Sequence, residues 1–127
     1  LESKTVLIVE DDPASLDIFE TILRHGGYQV TTAQTGADGL SLARGLLPDV
    51  VVVDIGLPDG PGFVVLDELS DDAATDHIPL IVCTVHAFEH DRVRARRAGA
   101  DVFLMKPVDP RDLLEAVNRL LQASEAT

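Results

Sequence analysis

A small set of polar residues stands where short apolar runs end. Glu10, Asp11 and Asp12 follow Val6 to Val9, Asp54 follows Val50 to Val53, Thr84 follows Leu80 to Cys83, and Lys106-Pro107 follows Val102 to Met105. Taken singly, each has an ordinary reading: an acidic turn, a β-forming threonine, a solvated lysine. Matched ends on four separate runs are hard to obtain by chance and favour a shared site. Glu10, Asp11 and Asp54 would bring three negative charges into a small volume, which is costly without compensation. Lys106 supplies one positive charge and a divalent cation supplies two, so the sum is zero. Oxygen ligands without His or Cys select a hard cation, and few protein ligands completed by water suit Mg²⁺ better than an all-protein Ca²⁺ cage. An aspartate beside Mg²⁺ and a lysine is placed to attack a phosphoryl group, because the cations stabilise the transferring oxygens. The Thr84 hydroxyl can donate to the same oxygens. Asp12, followed by Pro13, reads as a helix N-cap ahead of a metal role.

These ends need a scaffold that aligns them. Five apolar runs recur, each followed by a helical pattern: Val6 to Val9, Gln29 to Ala33, Val50 to Val53, Leu80 to Cys83 and Val102 to Met105. Continuous β-branched and aliphatic runs suit parallel strands covered on both faces, whereas the more polar, alternating second run reads as an edge strand. Between them, Asp12-Pro13 opens a helix that carries Leu16, Phe19 and Leu23 and stops at Gly26-Gly27. A second helix is expected from Gly36 to Leu47, ending before Pro48-Asp49. A third starts near Gly62 and carries Phe63, Leu66 and Leu69. A fourth, the least apolar, spans about Asp91 to Ala98. Asp109-Pro110 opens the fifth, whose Leu113, Leu114, Val117, Leu120 and Leu121 make the clearest amphipathic face. Strand-helix alternation of this kind predicts an α/β fold with right-handed crossovers, and in open sheets of that class the active crevice lies beyond the C-terminal strand ends.

The chain has 127 residues, which fits one domain with a real core, and 46% of them are apolar. No linker, low-complexity tract or internal repeat interrupts it. The net charge of −12 opposes direct binding to nucleic acid or to an anionic membrane surface and favours cationic partners, divalent metals included. A single cysteine, Cys83, cannot form an internal disulfide and reads as a small buried hydrophobe, in keeping with a cytoplasmic location. Apolar runs such as Val50 to Val53 are far too short to cross a bilayer.

Over about Thr5 to Gln122 the sequence resembles the receiver domain of two-component response regulators, the CheY-like family. The resemblance rests on Val-Leu-Ile-Val-Glu-Asp-Asp-Pro at 6–13, Val-Val-Asp-Ile-Gly-Leu-Pro-Asp-Gly at 52–60, Ile-Val-Cys-Thr at 81–84 and Gly-Ala-Asp-Val-Phe-Leu-Met-Lys-Pro at 99–107. It implies a doubly wound five-stranded parallel sheet of order 2-1-3-4-5 flanked by five helices, with 1–127 as a single receiver domain. It implies that Asp54 accepts a phosphoryl group from a phosphohistidine on a sensor histidine kinase or a histidine phosphotransfer domain. Glu10 and Asp11 match the acidic pair, with Asp11 favoured as the direct Mg²⁺ ligand, and the backbone carbonyl of Gly56 matches a further ligand. Lys106 matches the lysine that contacts the acceptor carboxylate and later the phosphoryl group, and Lys106-Pro107 matches a cis peptide. Thr84 and Phe103 match a switch pair that turns inward after phosphorylation. An effector or output domain is then expected to dock on the face of the fourth helix, fifth strand and fifth helix. Such a domain catalyses only its own phosphorylation and dephosphorylation.

Some positions depart from the family pattern. Val85 stands where a small residue is usual and is expected to narrow access to Asp54. Gly56 cannot position a hydrolytic water with a side chain. His86 is read first as an exposed loop histidine and second as a neighbour of that water or of the metal. Arg92, Arg94, Arg96 and Arg97 spread around the fourth helix without forming one stripe, so a solvated, weakly packed helix is expected, with docking of an acidic partner as the functional option. An aspartyl phosphatase of haloacid-dehalogenase type would need an acid two residues after the nucleophile, where Gly56 stands. A flavodoxin-like flavin carrier would need a hydroxyl-rich phosphate loop in place of Glu10-Asp11-Asp12. A pseudo-receiver would lack some of the acids or the lysine, and none is missing.

Overall fold

Alternate residues of each central strand point to opposite faces, and both faces here are apolar, so two layers of helices are required. The computed structural model describes residues 3–85 and 88–125 and has that arrangement. The strands are β1 (Thr5–Val9), β2 (Gln29–Ala33), β3 (Val50–Val53), β4 (Leu80–Thr84) and β5 (Val102–Met105). The helices are α1 (Pro13–His25), α2 (Gly36–Leu46), α3 (Gly62–Ser70), α4 (Glu89–Arg97) and α5 (Pro110–Glu125). All five strands are parallel, in the order β2-β1-β3-β4-β5. The strand order and helix count agree with the expected doubly wound fold. A two-residue antiparallel ribbon, Gly56–Leu57 against Gly60–Pro61, is added between β3 and α3.

The core divides by strand parity. Val6, Ile8, Val50, Val52, Ile81 and Cys83 face α1 and α5, meeting Leu16, Phe19, Leu23, Leu113 and Val117. Leu7, Val9, Val51, Val53 and Val82 face the other layer and meet Ala43, Val65, Leu66, Leu69 and Ala95. Strand β2 lies at one edge, with Val30 and Ala33 buried and Gln29 and Thr32 exposed, as its alternation required.

Helix starts follow the local chemistry. Asp12 is the N-cap of α1, accepting from the Ser15 amide at 3.2 Å and from its hydroxyl at 2.7 Å, and Pro13 takes the first helical position. Gly27, at φ 95°, turns the chain away after α1. Helix α4 begins two residues earlier than its pattern suggested, at Glu89. It buries only Ala95 yet is not merely solvated. The Arg92 guanidinium carbon lies 5.0 Å from the Phe103 ring centroid, and that of Arg94 lies 5.1 Å from Phe63 while it pairs with Asp67. A planar guanidinium can cover an aromatic face and keep its edge in water, so arginines here do packing that apolar residues do elsewhere. No helix among the described residues is long and apolar enough to cross a membrane.

Two glycines make opposite demands. A Cβ on Gly62 would lie 2.2 Å from the Asp54 carbonyl oxygen and 2.8 Å from Ile55 Cα, backbone atoms that cannot step aside. A Cβ on Gly45, inside α2, would meet nothing within 4 Å. Gly62→Ala is therefore expected to cost about 1–3 kcal/mol, and Gly45→Ala to stabilise by about 0.5–1 kcal/mol. Urea denaturation of the two variants checks both signs.

Candidate functional site

Strand register sets the site. Val9 pairs with Val53, and the next residues, Glu10 and Asp54, are carried forward side by side. The Asp54 amide donates to the Val9 carbonyl at 3.0 Å, extending the ladder by one rung. On the other side Thr84 pairs with Met105, and the Lys106 amide donates to the Thr84 carbonyl at 2.9 Å. Glu10, Asp11, Asp54, Thr84 and Lys106 thus stand on one edge of the sheet.

Carboxylate oxygens of Glu10, Asp11 and Asp54 lie within 4.8 Å of one another. Glu10 and Asp54 are only 2% and 8% exposed, whereas Asp11 is open to solvent. The Lys106 ammonium donates to Asp54 Oδ2 at 3.0 Å and to Glu10 Oε1. Asp54 Oδ1 accepts from the Gly56 amide at 3.0 Å. Glu10 Oε2 accepts from the amides of Asp11 and Asp12 at 3.1 and 3.2 Å. An all-oxygen acidic set with one cation in contact is the donor chemistry that suits a hard divalent ion such as Mg²⁺.

Thr84 is fully buried at the end of β4, and Val85 beyond it is 67% exposed. Val85 and Lys106 line one cavity of about 350 Å³ together with Ile18 and Pro107. The Lys106-Pro107 peptide is cis. Phe103 is half-buried on β5 under Arg92. Gly56 is exposed in the ribbon. His86 lies outside the described residues. Burial pushes the Cys83 thiol up to about 12, in keeping with an inert core residue. Sequence reasoning missed two positions. Gly62 lets α3 start against the Asp54 backbone. Asp59 reaches the N-terminus of α2, where Oδ1 and Oδ2 accept from Gly36 and Ala37. No local signal marks Asp59; Gly62 stands where a helix start was expected, but its backbone contact is not local.

Two buried carboxylates and one ammonium favour one retained proton. Burial pushes the Glu10 carboxyl up to about 7, against the pull of Lys106 and with a further push from Asp54. Burial acts in the same direction on Asp54. It is outweighed by hydrogen bonds from Gly56, Glu10 and Lys106, so its carboxyl is held below the usual range. Burial would lower the Lys106 ammonium, but the two carboxylates more than offset this and hold it above the usual lysine value. The unfolded chain releases the Glu10 proton near 4.5 and the folded chain near 7. This group's contribution is therefore present below pH 4.5 and lost as pH rises to about 7, by at most about 3 kcal/mol. Asp54 acts oppositely and only below its ordinary value of 3.8. In chelator, thermal melts are expected to show lower stability at pH 8 than at pH 5.5, and Glu10→Gln to flatten that slope. An equal slope in the variant would remove the assignment.

Known proteins share both the sequence and the fold. Residues 6–118 match the family model for the response regulator receiver domain. Protein PilH of Pseudomonas aeruginosa is 41% identical over 116 residues, covering 91% of this chain and 96% of its own. The polar-differentiation response regulator DivK of Brucella ovis is 33% identical over 94% of this chain and 97% of its own. A CheY-like receiver domain protein of Methanospirillum hungatei superposes with a TM-score of 0.91 at 35% identity, over 99% of this chain and all of that one. The receiver domain of a sensor histidine kinase from Pseudomonas aeruginosa, solved with a magnesium ion coordinated in its active-site cleft, superposes with a TM-score of 0.87 at 27% identity, over 95% of this chain and 99% of its own. The chain belongs to the CheY-like response regulator receiver domain family, the signalling domains of two-component systems.

Proposed function

We propose that Asp54 is the phosphoacceptor of this receiver, taking a phosphoryl group from a phosphohistidine on a sensor histidine kinase or histidine phosphotransfer domain. The carrying observation is the setting of Asp54: a buried carboxylate that accepts from the Gly56 amide at 3.0 Å and from the Lys106 ammonium at 3.0 Å, contacts that hold it below the usual range. An ionised Asp54 oxygen attacks phosphorus and forms the new O–P bond, while the P–N bond to the donor imidazole breaks with its electron pair on nitrogen. Lys106 stays an ammonium, 3.0 Å from Asp54 Oδ2, and accompanies the charge onto the phosphoryl oxygens. Glu10, Asp11, Asp54 and the Gly56 carbonyl would hold Mg²⁺, which when bound supplies further positive charge to those oxygens.

The switch reading is that Thr84 moves toward the phosphoryl group and Phe103 turns inward. Support comes from the packing of α4. Ala95 is its single buried residue among those described, and Arg92 covers the Phe103 ring. An inward ring gives up that stack, so the α4, β5 and α5 face changes and affinity for an effector docked there changes with it. The domain works as a signalling switch and not as a turnover enzyme.

Two measurements test the chemistry. Incubation with Mg²⁺ and a phosphorylated kinase or a small phosphodonor is expected to add one phosphoryl mass to the wild type and none to Asp54→Asn. No metal-dependent adduct from either donor would sink the proposal. Val85 lines the same cavity as Lys106. Val85→Ala is expected to speed both labelling by acetyl phosphate and loss of the label, by about three- to tenfold, the effect of lowering a barrier by about 1 kcal/mol. Unchanged rates would remove Val85 from the access path.

A further inference from the structure

Asp59 carries no part of the phosphoryl chemistry, yet both its oxygens are committed. Oδ1 accepts from the Gly36 amide at 2.8 Å and Oδ2 from the Ala37 amide at 3.0 Å. These are the first two amides of α2. The third, Asp38, donates to Thr35 Oγ1 at 3.1 Å, and the next, Gly39, makes the helix's first backbone bond, to the Thr35 carbonyl at 3.0 Å. Counted from the N-cap, the first four amides of a helix have no backbone partner within it, so Gly36, Ala37 and Asp38 need others. Of those three, the side chain of Thr35, the helix's own N-cap, serves one, and a carboxylate from the far side of the 54–62 loop serves the other two.

The connection is mechanical. Helix α2 is seated on β1 at the residue before Glu10: a Cβ on Gly39 would lie 2.7 Å from Val9 Cγ2. The loop that Asp59 holds carries Asp54 at one end and Gly56 in its ribbon, and it includes Gly60 at φ 142°. Glycines make a loop costly to order. Its far end is held by Gly62, whose amide donates to the Ile55 carbonyl at 2.7 Å. The middle is tied to α2 by Asp59.

We infer that Asp59 is a positioning residue for the acidic site, fixing the loop that presents Gly56 and Asp54 against the strand that presents Glu10. The inference rests on the reading of those acids as the metal and phosphoryl site, and its test separates the two. Asp59→Ala, in the whole chain, is expected to weaken Mg²⁺ binding in calorimetry about tenfold. It is also expected to speed hydrogen exchange at the Gly56 amide, the donor to Asp54 Oδ1. Asp59→Asn, which keeps one acceptor oxygen, should fall between, and it serves in place of the alanine variant should that one not fold. Thr35→Ala removes a cap from the same helix without touching the loop. It should lower the melting temperature while leaving Mg²⁺ affinity and Gly56 exchange as in the wild type. Wild-type values in the Asp59 variants, or an equal loss in Thr35→Ala, would reduce Asp59 to a helix cap and overturn the inference. A wild type that binds no Mg²⁺ would instead overturn the metal reading, and Gly56 exchange would still decide the role of Asp59.

Discussion

The structure depends on holding Glu10 and Asp54 next to each other at the buried end of two adjacent parallel strands. Like charges in that setting repel, and each loses hydration. Neighbouring parallel strands give them no freedom to separate, since the Val9–Val53 pairing and the Asp54 amide bond to Val9 fix their offset. Compensation has to come from whatever else reaches the edge. Among the described residues Lys106 contributes the only cation in contact with both, and backbone amides of Asp11, Asp12 and Gly56 point at the remaining oxygens. Burial also raises the Glu10 carboxyl above the usual range, which eases the same repulsion. A site balanced this way is poised for a divalent cation or for new charge on Asp54, because either one redistributes the same few hydrogen bonds.

The two helical layers are not equally firm. On one side α1 and α5 bury long aliphatic and aromatic side chains against β1, β3 and β4. On the other, α2 and α3 pack closely, but α4 contributes only alanine to the core and holds on through Arg92 and Arg94. Stacks and exposed ion pairs are worth less than buried aliphatic area and are made and broken at the surface. Helix α4 is thus the one whose attachment is cheapest to rearrange. On the proposed reading of Asp54, a change in its charge would have a soft direction in which to propagate.

Much of this was legible from the sequence, because the signals are local. Asp12-Pro13, Gly26-Gly27 and Asp109-Pro110 punctuate helices by their own backbone chemistry, and valine-rich runs declare strands covered on both faces. The acids, Thr84 and Lys106 were legible because strand ends in a parallel sheet share an edge. What escaped is what depends on contact between distant segments. Asp59 is one of 22 acids, and nothing beside it in the sequence points to amides 22 and 23 residues away. Gly62 reads as a helix start until the Asp54 backbone is seen against it. The arginines of α4 read as solvent-facing because hydropathy counts the guanidinium as polar and ignores its flat face. His86 lies outside the described residues.

The glycines of the 54–62 loop connect these points. Gly62 is required by close approach, since any side chain would strike the backbone of the residue that must stay in place. Gly56 leaves the mouth of the site open, and Gly60 takes a φ of 142° that the ribbon needs. Each choice removes a side chain that could have stiffened the loop, and each glycine adds about 0.5–1 kcal/mol of entropy to be lost on ordering. A loop built for access and close packing cannot fix itself, so its rigidity has to be imported. Asp59 imports it from α2, whose unpaired amides are a ready partner for a carboxylate and whose seat on Val9 is set by the core. The geometry of the acidic site is in this sense held by a residue outside it, through a helix that touches none of its chemistry.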